Sequence, residues 1–295
     1  MIVPAAALWY NILRMTAIKV DNVYYAYETN EGEESRFAVN GVSLEIEEGS
    51  FVAVAGHNGS GKSTLARLFN GLLLPDKGSV TVFGTDTKDE KNIYKVRSSV
   101  GMVFQNPDNQ MVASVVEDDI AFGPENLGLP REEIIRRVDK ALEQVGMSEY
   151  RKSTPFRMSG GQKQRLAIAG VLAIRPKVLV LDESTAMLDP KGRREVMEVV
   201  KKLNKEQGMT VILITHFMDE ALQAERAVVM HRGEVVMNGT PEEIFARSEE
   251  LETFGLTLPR AALVCKRLRA GGMPVAEAFT AEELAEAICA SLQRD

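Results

Sequence analysis

Val42, Leu44 and Ile46 alternate with Ser43 and Glu45, the two-residue period of a half-buried antiparallel strand. The same texture predicts short strands separated by polar turns over residues 17–55. Glu47-Glu48-Gly49 turns the chain into Phe51-Val52-Ala53-Val54-Ala55, an apolar run of the kind that is buried on both faces. A glycine-rich loop and a helix from 62 to about 70 follow. Strand patterning is expected again over 78–104, through Val80, Val82 and the run 100–104. From about Pro107 to Pro155 the period lengthens, and Ile134, Val138, Leu142 and Val145 mark one face of an amphipathic helix. Apolar runs at 178–181 and 210–214 each follow a helical pattern, the βα alternation that produces a parallel sheet. Beyond about residue 250, two amphipathic patterns at 260–270 and 281–292 predict a small helical extension. The expected fold is therefore α/β, with an antiparallel β subdomain, a helical subdomain at about 107–165 and helices at the C-terminal end.

Composition narrows the function. The chain has 295 residues, 45% hydrophobic and 26% charged, which suits one large core plus a small appendage and excludes disorder or collagen-like repeats. With 35 basic and 42 acidic residues the net charge is −7, so a broad grip on nucleic acid is not expected. Cys265 and Cys289 stand alone, without a CxxC or Cys/His cluster, which argues against a disulfide framework or structural zinc and for a reducing, cytoplasmic setting. The longest apolar stretch, 2–13, is broken by Pro4 and Asn11 and falls short of the roughly 18–20 residues a spanning helix needs. No Lys or Arg precedes it, as a signal peptide would require. Residues 1–16 read as a loose N-terminal extension, and Met15 is a candidate translation start.

The sharpest chemical signal is Gly56-His57-Asn58-Gly59-Ser60-Gly61-Lys62-Ser63, a phosphate-cradling P-loop that leaves a buried strand and opens a helix. Its glycines let backbone N–H groups converge on phosphate, and the helix N-terminus adds its dipole. Lys62 is expected at the β/γ-phosphates and the Ser63 hydroxyl on Mg²⁺; Thr64 follows as a further nucleotide contact, and His57 reads as a filler whose backbone does the binding. The run 178–181 ends in Asp182 and Glu183, two carboxylates at the carboxyl edge of a strand. Asp182 is expected in the Mg²⁺ shell and Glu183 as the group that polarises the attacking water. Ser159-Gly160-Gly161-Gln162 opens a helical run; small residues there make either a second phosphate site, serving a nucleotide held by another subunit, or a plain helix cap.

With these three elements in order, the chain resembles the ATP-binding-cassette (ABC) ATPases over about residues 17–245. Their signature motif reads LSGGQ, with Met158 here in place of the leading Leu. The resemblance implies ATP and Mg²⁺ as ligands and assigns further roles. Gln105 matches the Q-loop glutamine that touches Mg²⁺ and water, Asp189 the D-loop residue that crosses a dimer interface, and His216 the switch histidine at the γ-phosphate. Tyr27 is the choice for stacking on adenine, with Tyr25 on the same face as its rival. His231, in an expected hairpin, reads as inert. The domains implied are an extension at 1–16, an ABC ATPase domain at 17–249 and a helical extension at 250–295.

A narrower resemblance lies in Val100-Gly101-Met102-Val103-Phe104-Gln105-Asn106-Pro107-Asp108-Asn109-Gln110, in Val116-Glu117-Asp118-Asp119-Ile120-Ala121-Phe122-Gly123 and in Asp182-Glu183-Ser184-Thr185-Ala186-Met187-Leu188-Asp189-Pro190. These resemble the first ATPase subunit of energy-coupling-factor (ECF) transporters, which import vitamins and transition-metal ions. That likeness implies a second homologous ATPase (or a homodimer), a membrane coupling subunit, a substrate-binding membrane subunit and a peripheral place on the cytoplasmic face of the cell membrane. Residues 106–111 and the helix beyond are expected to form the receiving groove, with Met111, Val112 and Phe122 either as its apolar contacts or as internal packing. Leu263, Leu268, Leu284, Ile288 and Leu292 in the extension either hold two ATPases together or pack on their own cassette. A conventional ABC importer ATPase, or a soluble ABC ATPase outside transport, is the alternative.

Overall fold

The computed structural model describes residues 15–28 and 36–293. The expected N-terminal extension falls outside them up to residue 14, and Thr16 already opens the first strand. Strands β1 (Thr16–Ala26) and β2 (Phe37–Glu47) pair antiparallel, with Val20 opposite Leu44 and Val23 opposite Val42. The alternation at Val42, Leu44 and Ile46 is their buried face. β3 (Phe51–Ala55), α1 (Lys62–Phe69), β4 (Lys77–Val82) and β5 (Thr85–Asp86) follow, and β2-β1-β4-β5 form one four-stranded sheet.

Between β5 and β6 (Val100–Val103) the chain departs from the expected strand texture, because Ile93–Ser99 is a helix, α2. Only Val96 of that helix is buried, so its two turns leave no helical period to read. Next come α3 (Val116–Asn126), α4 (Arg131–Gln144), α5 (Gly160–Leu172), β7 (Val178–Asp182), α6 (Pro190–Gln207), β8 (Thr210–Thr215) and the short α7 (Met218–Ala221). A hairpin of β9 (Arg226–His231) and β10 (Glu234–Gly239) leads to α8 (Pro241–Ala246), α9 (Ser248–Thr253), α10 (Arg260–Ala270) and α11 (Ala281–Leu292).

The second sheet runs β10-β9-β3-β8-β7-β6, parallel except for β10. Its strands alternate between two cores. Val52, Val54, Val178, Val180, Ile212 and Ile214 face α1 and the antiparallel sheet. Phe51, Ala53, Leu179, Leu181, Val211 and Leu213 face the helices. Each fully buried Leu or Ile contributes about 1.5–3 kcal/mol of transfer free energy, which holds the strand ends, and the loops that leave them, in fixed places.

The helical layer is α3, α4 and α5, packed through Ile120, Val138, Leu142, Leu166 and Ile168. Arg137 of α4 donates to the carbonyls of Ala173 and Ile174 at the end of α5. Glu133 takes Arg137 and Arg136 as hydrogen-bond donors with Arg175 nearby, and these guanidinium groups lower its carboxyl to about 2. In the extension, Leu251, Leu256, Leu258 and Ala262 join the cassette core, and Leu263 packs against it. Cys265, Val275 and Ala278 make a small separate cluster with Leu268, Leu284 and Ile288 around it, while Leu292 is exposed. Among the described residues no helix is long and apolar enough to cross a membrane.

Candidate functional site

Leaving β3, the loop of Gly56 to Gly61 wraps tightly because two positions accept no side chain. A Cβ on Gly56 would fall 2.5 Å from the Met230 carbonyl oxygen, and one on Gly61 (φ 100°) would fall 2.2 Å from that of Ala38. Lys62 turns back over the loop, its Nζ donating to the Gly56 and His57 carbonyls, each at 2.9 Å. The ammonium is thus buried against the loop backbone. That burial pushes its pKa down, against the carboxylates of Glu183 and Asp182, which favour the charge. Ser63, one residue on, donates its hydroxyl to Asp182 Oδ1 at 2.7 Å. Asp182 is itself buried, and desolvation raises its carboxyl above the ordinary range despite the Ser63 hydrogen bond.

Glu183 follows β7 in a left-handed backbone conformation, φ 48°, that costs a non-glycine residue on the order of 1 kcal/mol. Its N–H donates to the Ile214 carbonyl at 3.0 Å, which holds the kink against β8. The kink aims the carboxylate between an ammonium and an imidazole: Oε1 is 3.5 Å from Lys62 Nζ and Oε2 is 3.4 Å from His216 Nδ1. Strained backbone at a charged cluster marks a functional position rather than a packing one.

A cleft of about 540 Å³ opens above these groups, lined by Asn58, Gly59, Gly61, Lys62, Ser63 and Thr64, by Gln105 just past β6, and by Asp182 and Glu183. Arg67, Phe104, Asn106 and Asn109 also line it; Arg67 goes unread in the sequence, Phe104 reads there only as part of the strand run, and Asn106 and Asn109 fall in the expected receiving groove instead. Arg67 had a signal, since it stands one helical turn after Ser63. Tyr27 reaches the same region through a 3.2 Å hydrogen bond shared with Thr64 Oγ1. Its ring is 43% exposed, whereas Tyr25, edge-on at 5.1 Å, packs against the core, so of the two rivals Tyr27 is the ring available to a ligand. His57 lies against His231, which in turn lies against Phe254 of the extension, at 5.0 and 5.3 Å.

The remaining predicted residues gather elsewhere. Ser159 caps α5 by accepting from the Gln162 N–H, and the Gln162 side chain accepts from the Ser159 N–H. Asp189 caps α6 by accepting from the Gly192 N–H at 2.8 Å. The two helix starts meet glycine to glycine: a Cβ on Gly161 would sit 3.0 Å from Gly192 Cα. None of Ser159, Gly160, Gly161, Gln162 or Asp189 lines the cleft. Lys163 connects the groups at a distance by pairing with Asp108, beyond Gln105, at 2.7 Å. Val112 and Phe122 are exposed, while Met111 packs against the core. Among the described residues, no three His, Cys, Asp or Glu side chains converge as a metal cage. Chemically the cleft offers a polyphosphate a glycine-rich loop at the start of α1 and a buried ammonium, beside two carboxylates and an imidazole.

A family profile described as ABC transporter matches residues 39–186. The chain is 54% identical over 273 residues to a protein of Clostridium novyi (strain NT) named energy-coupling factor transporter ATP-binding protein EcfA1, covering 92% of this chain and 97% of that one. It is 56% identical over 276 residues to the protein of the same name in Symbiobacterium thermophilum, covering 92% and 96%. Among solved structures it is similar to cbiO1 from Clostridium perfringens, described as part of the ABC transporter complex cbiONQ, with a TM-score of 0.73, 39% identity and 85% of this chain and 99% of that one covered. It also resembles the cassette MJ0796, solved as a dimer bound to ADP and Pi, with a TM-score of 0.68, 32% identity and coverage of 76% and 98%.

Proposed function

This chain belongs to the ABC transporter ATPases, and within them to the ATP-binding proteins of energy-coupling-factor transporters, and from that premise we propose how its residues perform the work. It binds and hydrolyses ATP to drive transport. In our reading residues 17–249 form the ATPase domain and 250–295 an extension of it. The observation that carries the reaction is the row Lys62–Glu183–His216, with one Glu183 oxygen 3.5 Å from the Lys62 ammonium and the other 3.4 Å from the His216 ring nitrogen. Lys62 and the loop N–H groups hold the β/γ-phosphates, Tyr27 stacks on the adenine, and Thr64 orders the ring through its hydroxyl. Glu183 accepts the proton of the attacking water, and His216 holds the γ-phosphate and the carboxylate in one line.

Mg²⁺ fits the donors present. Ser63, Asp182 and Gln105 offer hard oxygens at one edge of the cleft, and a carboxylate whose charged form is disfavoured by burial is relieved by a cation. Such an ion neutralises charge developing on the phosphates. Ser159, Gly160, Gly161, Gln162 and Asp189 meet the nucleotide of a second ATPase, because in one chain they stand outside the cleft.

That second ATPase is homologous but distinct, or else a second copy. The pair docks peripherally on the cytoplasmic face of the membrane, on a coupling subunit that carries a substrate-binding subunit for a vitamin or a transition-metal ion. Val112 and Phe122 are the exposed apolar contacts of that docking. The extension, rooted on its own cassette through Leu256 and Leu258, holds the pair together with its outer helix. Truncation after residue 250 is expected to abolish pairing and coupled transport. A truncated chain that pairs normally and loses only thermal stability removes that role.

Glu183→Gln tests the reaction itself. It keeps the shape and removes the base, so ATP should still bind while turnover falls at least a hundredfold, and the closed dimer should accumulate on sizing columns. Normal turnover in that variant would refute the assignment.

A further inference from the structure

Glu220 is a fully buried carboxylate that neither the P-loop chemistry nor the phosphate contacts use. It sits on α7, four residues past His216, with a side chain 2% exposed. Its Oε1 accepts the Thr185 hydroxyl and its Oε2 the Thr215 hydroxyl, each at 2.6 Å. Thr185 stands two residues past Glu183, and Thr215 immediately precedes His216. The Thr215 oxygen also accepts the Phe217 N–H at 3.0 Å, so its hydroxyl is fixed from both sides.

A second path closes the circuit. Arg193 Nε, on the first turns of α6, lies 3.5 Å from Glu220 Oε1. The Arg193 guanidinium is centred 3.6 Å from the Phe217 ring, and that ring packs on the His216 imidazole at 4.1 Å. The helix that carries Arg193 is the one capped by Asp189. A buried carboxylate with one cation at 3.5 Å is a weak way to gain stability, since desolvation offsets most of the attraction. What it does supply is direction, because two short charge-assisted hydrogen bonds fix the rotors of two threonines, one in the loop after β7 and one at the end of β8.

We infer that Glu220 is a positioning residue which ties the loop after Glu183 to the loop bearing His216, so that base and histidine move as one unit with α6. The inference rests on the roles given above to Glu183 and His216. It predicts that loosening Glu220 slows hydrolysis without weakening ATP binding.

The test uses the full-length chain assembled with its transporter partners, measuring ATP affinity and kcat for the unaltered protein, Glu183→Gln, Glu220→Gln, Thr185→Val and the double variant Glu220→Gln/Thr185→Val. Glu220→Gln should lower kcat about tenfold and Thr185→Val about threefold, with ATP affinity within about twofold. The double variant should be no slower than Glu220→Gln alone, because both remove one linkage. Unchanged kcat in Glu220→Gln, a kcat loss matched by an equal loss of affinity, or single effects that multiply in the double variant would each overturn the inference. Where Glu220→Gln fails to assemble, Thr185→Val, Thr215→Val and their combination carry the same comparison, with wild-type kcat in both singles overturning it. Retained turnover in Glu183→Gln would instead overturn the underlying site reading, so the two failures are distinguishable.

Discussion

The P-loop half of the site and the signature half are built on opposite electrostatic plans. In the P-loop half, charged groups are buried with incomplete compensation. Burial lowers the pKa of Lys62 and raises that of Asp182, and Glu183 is kinked between the Lys62 ammonium and the His216 imidazole. In the signature half, polar groups satisfy one another locally: Ser159 with Gln162, Asp189 with Gly192, and two helix starts pressed together at Gly161 and Gly192. Among the described residues the exceptions on α5 are the Gln164 amide and the Arg165 Nε, both buried without a hydrogen-bond partner. The first half is poised for a ligand that brings charge. The second is a finished rigid surface, suited to be presented to a nucleotide held by another chain.

Lys62→Ala should break the comparison most severely. It removes the buried ammonium and leaves the Gly56 and His57 carbonyls without their donor, so ATP affinity of the chain should fall tenfold or more, about 1.5–3 kcal/mol for hydrogen bonds to a charged group. Equilibrium binding of a fluorescent ATP analogue measures it, and unchanged affinity would remove the P-loop half from nucleotide binding.

How much of this was legible in the sequence follows the same division. The P-loop is eight consecutive residues with a strand before and a helix after, so its chemistry lies in one window. Ser159-Gly160-Gly161-Gln162 was equally local, and of its two readings the capping geometry is the helix cap; the phosphate role of the same residues belongs to the proposed pair. The left-handed Glu183 was not legible, because nothing about a glutamate after an apolar run encodes a positive φ; the pairing of its N–H with Ile214 on β8 sets it. Glu220 was hidden for the same reason, since its partners Thr185 and Thr215 come from the loop after β7 and from the end of β8. The helix at Ile93–Ser99 escaped because one buried valine makes no pattern. The tail helices were readable from their apolar faces, but the division of those faces between the cassette core and a cluster around Cys265 and Val275 depends on tertiary packing.

A smaller effect tests the rigidity of the signature half. Gly161→Val would push a branched side chain into Gly192, so it should destabilise the chain by about 1–3 kcal/mol, read by denaturant unfolding, and leave ATP affinity of the P-loop half unchanged. Tight packing with no stability loss would mean that α5 and α6 part easily.

The smallest effect concerns the helical layer that carries the signature. Glu133 falls from an ordinary carboxyl value of 4.5 to about 2 in the folded chain. A depressed carboxylate stabilises the fold above its unfolded pKa and loses that contribution as protons return. The stability difference between the unaltered chain and Glu133→Gln should therefore be constant from neutral pH down to about 4.5 and shrink as pH falls toward 2. A difference that grew on acidification would contradict the Arg136–Arg137–Glu133 cluster as the cause.

The division of labour between the halves is tested most directly by placing Ser159→Arg beside Lys62→Ala and measuring both ATP affinity of the single chain and ATP hydrolysis of the assembled ATPase pair. The account predicts that Ser159→Arg leaves the affinity of the single chain within about twofold and abolishes hydrolysis at the site it should complete on the partner, while Lys62→Ala weakens binding in the single chain itself. A Ser159→Arg chain that loses ATP affinity on its own, to the extent that Lys62→Ala does, would contradict it.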